Sequence, residues 1–226
     1  MTVVLVHSLG ADRSLWDPQL PALGAAHEVV AYDLGAPPAS IADIGRDVLA
    51  LAPGRFHVVG LSMGGQVAQW LALNAPGRVD RIVLACTGAR IATPGYWDER
   101  IAAVRAGGLE QLVAASAERW FTAGFRARAP EAVARARARL LGTPPATYIA
   151  CCAAIRDFDA REAVAAIRAP TLVLTGAADP VTPPADGRLL AERIPGARSV
   201  ELDAAHLANI EAADAFNAAV LDFLGG

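Results

Sequence analysis

The chain contains no lysine, so its twenty basic side chains are all arginine, and acidic residues exceed them to leave a formal net charge of −3. A protein that neutralises phosphates needs a basic surplus, so nucleic acid and anionic membranes are excluded as partners. Cysteine is scarce: Cys86 and the adjacent Cys151 and Cys152 form neither a metal-ligand spacing nor a disulfide framework. They read as buried thiols of a reducing cytoplasm, and no metal or cofactor is expected. Long hydrophobic runs are also missing, although 54% of residues are hydrophobic, which excludes a membrane span. No signal peptide is read at residues 2–6, which have no basic segment ahead and a polar His-Ser behind. What remains is a cytoplasmic α/β protein of one compact domain, or one domain carrying an insertion.

Short β-branched apolar runs recur at Val3–Val6, Val29–Tyr32, Phe56–Val59, Arg81–Ala85, Thr171–Thr175 and Arg198–Leu202. Continuous apolarity marks strands buried on both faces, as in a parallel sheet with helices on either side. Helices are expected between them near 15–24, 41–51, 64–75, 184–194 and 207–224, the fourth opened by Pro183-Pro184. Residues 88–168 hold no strand candidate. Four helical stretches, near 97–106, 109–122, 130–141 and 145–156, are punctuated there by Gly107-Gly108, Pro130 and Pro144-Pro145. The expected division is a core of residues 1–87 and 169–226 and a helical lid of 88–168, roofing the carboxyl ends of the strands.

Gly60-Leu61-Ser62-Met63-Gly64 follows the run Phe56–Val59 and precedes a helical stretch. A G-x-S-x-G sequence between strand and helix is a nucleophile elbow, a tight turn that lifts a serine hydroxyl above the sheet. Serine needs a base, and the base needs an orienting acid. Of four histidines, His7 ends the first strand, His27 precedes the second and His57 lies low on the third. Only His206, in the loop after the last strand, is placed to reach the elbow. Asp179 occupies the loop after the preceding strand, 27 residues earlier, which leaves room for one helix and one strand. Asp203 and Asp186 compete for the role of acid; Asp203 is read as fixing the histidine loop. The order Ser62, Asp179, His206 is that of the α/β-hydrolases. The backbone N–H groups of Met63 and Leu9 are the positional candidates for an oxyanion hole, with His7 shaping the loop that holds Leu9.

With these residues in view, the chain resembles the α/β-hydrolase superfamily and is most similar to the 3-oxoadipate enol-lactonases. The matching segments are Val6–Trp16, Gly60–Gly65, Cys86–Ile91, Arg119-Trp120-Phe121-Thr122, Pro183–Arg188 and Glu201–Glu211. The resemblance implies hydrolysis of an unsaturated γ-lactone bearing a carboxylate, giving 3-oxoadipate in the β-ketoadipate pathway of aromatic catabolism. Two departures stand out. Met1 falls almost on the first strand, so a sheet of about six parallel strands without the usual N-terminal hairpin is expected. That leaves an exposed edge at the second strand, which invites a covering segment or a homodimer partner. The loop Asp33–Ser40 is also short and lacks the family's arginine and histidine.

A small anionic lactone needs a cation near apolar walls. Arg119, Arg90 and Arg156 are the candidate cations, and Trp120 and Trp16 the candidate walls; Arg135, Arg137 and Arg139 alternate along a helix and read as a solvated face. Three other readings stay open. One is hydrolysis of another small ester or lactone in a biosynthetic setting. Another is a ligand-binding receptor on the hydrolase fold with residual turnover. The third is a perhydrolase-like side activity.

Overall fold

The computed structural model describes residues 1–225. Six strands, β1 (Thr2–Val6), β2 (Glu28–Ala31), β3 (Phe56–Leu61), β4 (Val79–Ala85), β5 (Thr171–Gly176) and β6 (Arg198–Leu202), form one sheet in the order β2-β1-β3-β4-β5-β6. All five pairings are parallel. Between β1 and β3 the winding reverses direction, and the crevice outside the carboxyl ends there is where open α/β sheets bind ligands. The expected six-stranded α/β-hydrolase architecture is therefore present, with β2 and β6 as the outer strands.

Alternating strand residues feed two cores. Val4, Val6, Val58, Ile82 and Leu84 pack on one face, against α2 (Ile41–Leu51) and α3 (Met63–Asn74). Val3, Leu5, Val59, Leu61, Val83 and Leu174 pack on the other, against Trp16 and against Phe216 and Val220 of α11 (Ala213–Leu224). Every residue of β3 is buried, which accounts for a run that is apolar but for His57. Each such aliphatic side chain contributes roughly 1.5–3 kcal/mol on burial. The start of α2 is fixed by Ser40, whose hydroxyl accepts from the Asp43 amide while Asp43 accepts from Ser40 and the Ala39 amide.

Two expected helices are broken. The stretch 15–24 divides into a 3-10 turn, Arg13–Trp16, and α1 (Leu20–Gly24), because Pro18 cannot continue a helix. The stretch 207–224 divides at Ala212 into α10 (Ala208–Glu211) and α11. Between β4 and β5 run α4 (Pro94–Gly107), α5 (Glu110–Trp120), α6 (Ala123–Arg128), α7 (Pro130–Gly142) and α8 (Pro145–Asp157). The sequence showed no sign of α6, since the expected helix 109–122 ran through Phe121; Phe121 is extended and Thr122 caps a new helix through the Phe125 amide. A 3-10 turn, Ala163–Ala166, closes the segment before β5, and α9 (Pro184–Arg193) joins β5 to β6. Among the described residues no helix is long and apolar enough to cross a membrane, and no cluster of three or more metal-ligating side chains occurs.

All three cysteines are buried, and burial pushes the Cys151 and Cys152 thiols up to about 12, which leaves them protonated and inert. At the opposite end of the sheet from the elbow, His57 is 4% exposed and meets His27 edge-on at 5.9 Å. Burial pushes His57 down to about 4, against a weaker pull upward from Asp80. The neutral ring is favoured in the fold, so its contribution is complete above the ordinary histidine value and is lost as pH falls from about 6.5 toward 4. A loss of up to about 3 kcal/mol is expected over that window. Urea midpoints at pH 7 and pH 4.5 check it: His57→Gln should flatten the difference, and an equal pH dependence in both proteins would contradict the assignment.

Candidate active site

Ser62 links β3 to α3 with φ 57° and ψ −114°, a strained backbone for a residue with a Cβ. Its surroundings hold it there. The Ser62 amide donates to the Ala85 carbonyl at 2.9 Å, and the Thr87 hydroxyl donates to the Ser62 carbonyl at 2.7 Å. The flanking glycines are sterically required. A Cβ on Gly60 would lie 2.1 Å from the Gly64 carbonyl oxygen, and one on Gly64 would lie 2.0 Å from that of Val6. Met63 is the first residue of α3, so its amide has no intrahelical acceptor and is available to a ligand.

Asp179 follows β5 in a turn that satisfies its carboxylate. The Val181 and Thr182 amides donate to Oδ1 at 2.7 and 3.1 Å, and the Thr182 hydroxyl donates to Oδ2 at 2.7 Å. His206 Nδ1 donates to the same Oδ2 at 2.8 Å. Burial alone would push the carboxyl up, but His206 and Thr182 outweigh it and hold Asp179 below the usual carboxylate value. With Nδ1 as the donor, Nε2 of His206 is left as the basic nitrogen. Asp203, one residue after β6, is exposed, and the histidine loop is fastened instead by Glu211. The Glu211 carboxylate accepts from the Ala205 amide at 3.0 Å, from the Thr122 amide and from the Thr122 hydroxyl. The Leu207 amide donates to the Trp120 carbonyl at 3.0 Å. The histidine loop and the segment Arg119–Thr122 are thus tied into one unit. Asp186 is half-buried in α9; burial and the nearby Asp179 push its carboxyl up.

Ser62 and His206 line one cavity with Ser8, Leu9, Tyr96, Trp97, Arg100, Arg119, Trp120, Tyr148 and Val181. Its volume is about 40 Å³, far below the roughly 300–1,000 Å³ of sites for drug-sized ligands. A roomier groove of about 440 Å³ lies beside it, bordered by His7, Asp33, Leu34, Met63, Arg139 and the shared Tyr148. The short loop after β2 flanks this groove. His7 donates from Nδ1 to the Ser8 carbonyl at 2.9 Å and stacks on Tyr32, so its ring does support the loop that carries Leu9.

Of the substrate-side candidates, Arg119 and Trp120 reach the cavity and three others do not. Arg90 pairs with Asp159 at 3.5 Å. Arg156 joins Asp98 of α4 at 2.6 Å and its neighbour Asp157 at 2.8 Å, an exposed pairing between helices. Trp16 is fully buried against Phe216, on the core side of the first loop. Tyr96, Arg100 and Tyr148 line the cavity without having been singled out from sequence. Their one sequence signal is a pair of tyrosines and an arginine among otherwise ordinary helix positions.

A family model described as the alpha/beta hydrolase family matches residues 3–219. The chain is 35% identical to 3-oxoadipate enol-lactonase 2 of Acinetobacter baylyi, over 96% of this chain and 86% of that one. The crystal structure of the enol-lactonase from Burkholderia xenovorans superposes with a TM-score of 0.96 at 39% identity, covering 100% of this chain and 91% of that one. Pimeloyl-[acyl-carrier protein] methyl ester esterase of Neisseria meningitidis is 33% identical, over 99% of this chain and 93% of its own length. On the family match and these identities, the chain belongs to the alpha/beta hydrolase family.

Proposed function

We propose that the chain hydrolyses a small carboxylate-bearing enol-lactone, 3-oxoadipate enol-lactone to 3-oxoadipate, through a Ser62 acyl-enzyme. The observation that carries this reading is the convergence of Ser62 and an Asp179-bound His206 on one small cavity. His206 Nε2 takes the Ser62 proton as Oγ attacks the lactone carbonyl, and the Met63 and Leu9 amides receive the oxyanion. Collapse breaks the ring C–O bond; the enol oxygen leaves, is protonated by His206 and tautomerises to the ketone. Water, deprotonated by the same ring, then cleaves the acyl-serine and restores Ser62. The helices of residues 88–168 act as the lid, contributing Arg119 and Trp120 to substrate selection.

The names of the Acinetobacter and Burkholderia relatives favour an enol-lactone. A second reading, another small ester or lactone, is favoured by the esterase relative, whose 33% identity nearly equals the 35% of the enol-lactonase. A panel of the acidic enol-lactone, a neutral lactone of the same ring and simple esters separates the two. A site built for a charged group should favour the acidic substrate in kcat/KM by at least about 10²-fold. Preference for a neutral ester would overturn the enol-lactone, and absence of multiple turnovers on every member would favour a binding receptor.

A further inference from the structure

We propose that Arg100 is the carboxylate anchor of the Ser62 cavity, held in place by Tyr148, with Arg119 as a second guanidinium at its mouth. The proposal rests on the reading that this site takes an acidic substrate, and it identifies the residue that reads the charge.

The observation is a half-buried cation with only neutral partners. Arg100 Nε donates to the Tyr148 hydroxyl at 2.6 Å, Nη1 to the Tyr96 hydroxyl at 3.4 Å and Nη2 to the Ser116 hydroxyl at 3.4 Å. Its guanidinium also lies 5.6 Å from the centre of the Tyr148 ring. These contacts draw on α4, α5 and α8 together. Among the described residues no carboxylate pairs with Arg100, whereas Arg90, Arg139, Arg156 and Arg161 all have acidic partners. Removing a guanidinium from water is costly, and neutral hydroxyls return its hydrogen bonds without returning a counter-charge. Arginine cannot escape the cost by losing its proton. The charge is thus kept beside the nucleophile for something that is not part of this chain.

The donor count points the same way. A guanidinium carries five N–H donors, and only the Nε bond to Tyr148 is short. Each terminal nitrogen makes one long bond, which leaves a donor on both for the planar, two-oxygen recognition that a carboxylate offers. Tyr148 is 1% exposed and fixes the orientation of the fork through Nε, so it is a positioning residue. Arg119 donates to the Tyr96 hydroxyl at 3.1 Å and borders both the Ser62 cavity and an outer cavity of about 220 Å³ beside Ile91, Pro180 and Val181. A carboxylate entering from that side meets Arg119 first and Arg100 second, with Tyr96 bridging the two cations.

The test compares wild type with Arg100→Gln, Arg100→Lys and Tyr148→Phe on the acidic enol-lactone and on p-nitrophenyl acetate. Butyrate serves as an inhibitor of acetate-ester hydrolysis. Expected for Arg100→Gln is a fall of about 10²-fold in the acidic-to-neutral ratio of kcat/KM, the usual scale for truncating one partner of a buried charged contact. Competitive inhibition by butyrate should disappear with it. Arg100→Lys, which keeps the charge and loses the fork, should recover part of both. Tyr148→Phe should raise KM for the lactone more than it lowers kcat. An unchanged ratio in Arg100→Gln, with both substrates falling together, would make Arg100 a structural tie between helices and overturn the proposal. Should that variant fail to fold, an unchanged ratio and undiminished butyrate inhibition in Arg100→Lys and Tyr148→Phe would overturn it equally. Arg100-dependent butyrate inhibition in a wild type that ignores the lactone would sustain the anchor and defeat the enol-lactone reading. Efficient lactone turnover that is indifferent to Arg100 would do the reverse.

Discussion

Replacing Ser62 by Ala is expected to lower kcat by roughly 10⁶, the loss seen when a serine nucleophile is removed from a working triad. The expectation follows from how little else the substitution disturbs. Only Oγ is lost from a residue that is 6% exposed, while the strained backbone stays held through the Ala85 carbonyl and the Thr87 hydroxyl. Alanine carries the same Cβ as serine, so it inherits the same strain and adds no clash in the elbow. Stability should change by less than about 1 kcal/mol, which separates loss of the nucleophile from loss of the fold. Stoichiometric labelling by a fluorophosphonate and turnover of an activated ester check the point together. A variant that still turns over the ester at the wild-type rate would remove Ser62 from the chemistry.

Asp179→Asn is expected to cost roughly 10⁴ in kcat, the scale of a histidine held in the wrong tautomer. All four bonds at this carboxylate come from donors: the amides of Val181 and Thr182 on Oδ1, and the Thr182 hydroxyl and His206 Nδ1 on Oδ2. An asparagine oxygen can replace only one of the two. If the amide nitrogen takes the Oδ1 place, it faces two backbone N–H groups that cannot accept. If it takes the Oδ2 place, the Thr182 hydroxyl can rotate to accept, but His206 must also offer a lone pair at Nδ1. The ring then carries its proton on Nε2 and can no longer take one from Ser62. The second arrangement is the cheaper, so the variant should fold normally and fail in catalysis. Single-turnover acylation by an activated ester measures the step directly, and a loss of under tenfold would show that Asp179 does not set the tautomer.

Much of this was legible in the sequence because it depends on short-range order. Apolar runs placed the inner strands β1, β3, β4 and β5, since a strand buried on both faces has little polar side to show. The edge strands β2 and β6 are mostly exposed or half-buried and were placed by their position in the alternation of strands and helices. Gly60 and Gly64 marked the elbow because the backbone approaches they permit leave no room for a side chain. What was not legible depends on chain segments meeting in space. Arg100 stands behind Asp98 and Glu99 with nothing in the sequence to set it apart, yet α5 and α8 bring Ser116 and Tyr148 to it. Arg90 and Arg156 carry the same side chain, but acidic partners nearby absorb them. Glu211 lies within a segment that resembled the enol-lactonases, but its link between the histidine loop and Thr122 spans 89 residues of chain. The breaks at Ala212 and Phe121 border those same tertiary bonds, which override helix propensity in both places.

The most direct test of the account is the steady-state hydrolysis of 3-oxoadipate enol-lactone by wild type beside Ser62→Ala. The account requires kcat/KM above roughly 10⁵ M⁻¹s⁻¹, within the ordinary enzymatic range, and its disappearance in the variant. Negligible turnover of that lactone by a protein that still hydrolyses an activated ester would contradict the proposed substrate, and turnover surviving in Ser62→Ala would contradict the proposed nucleophile.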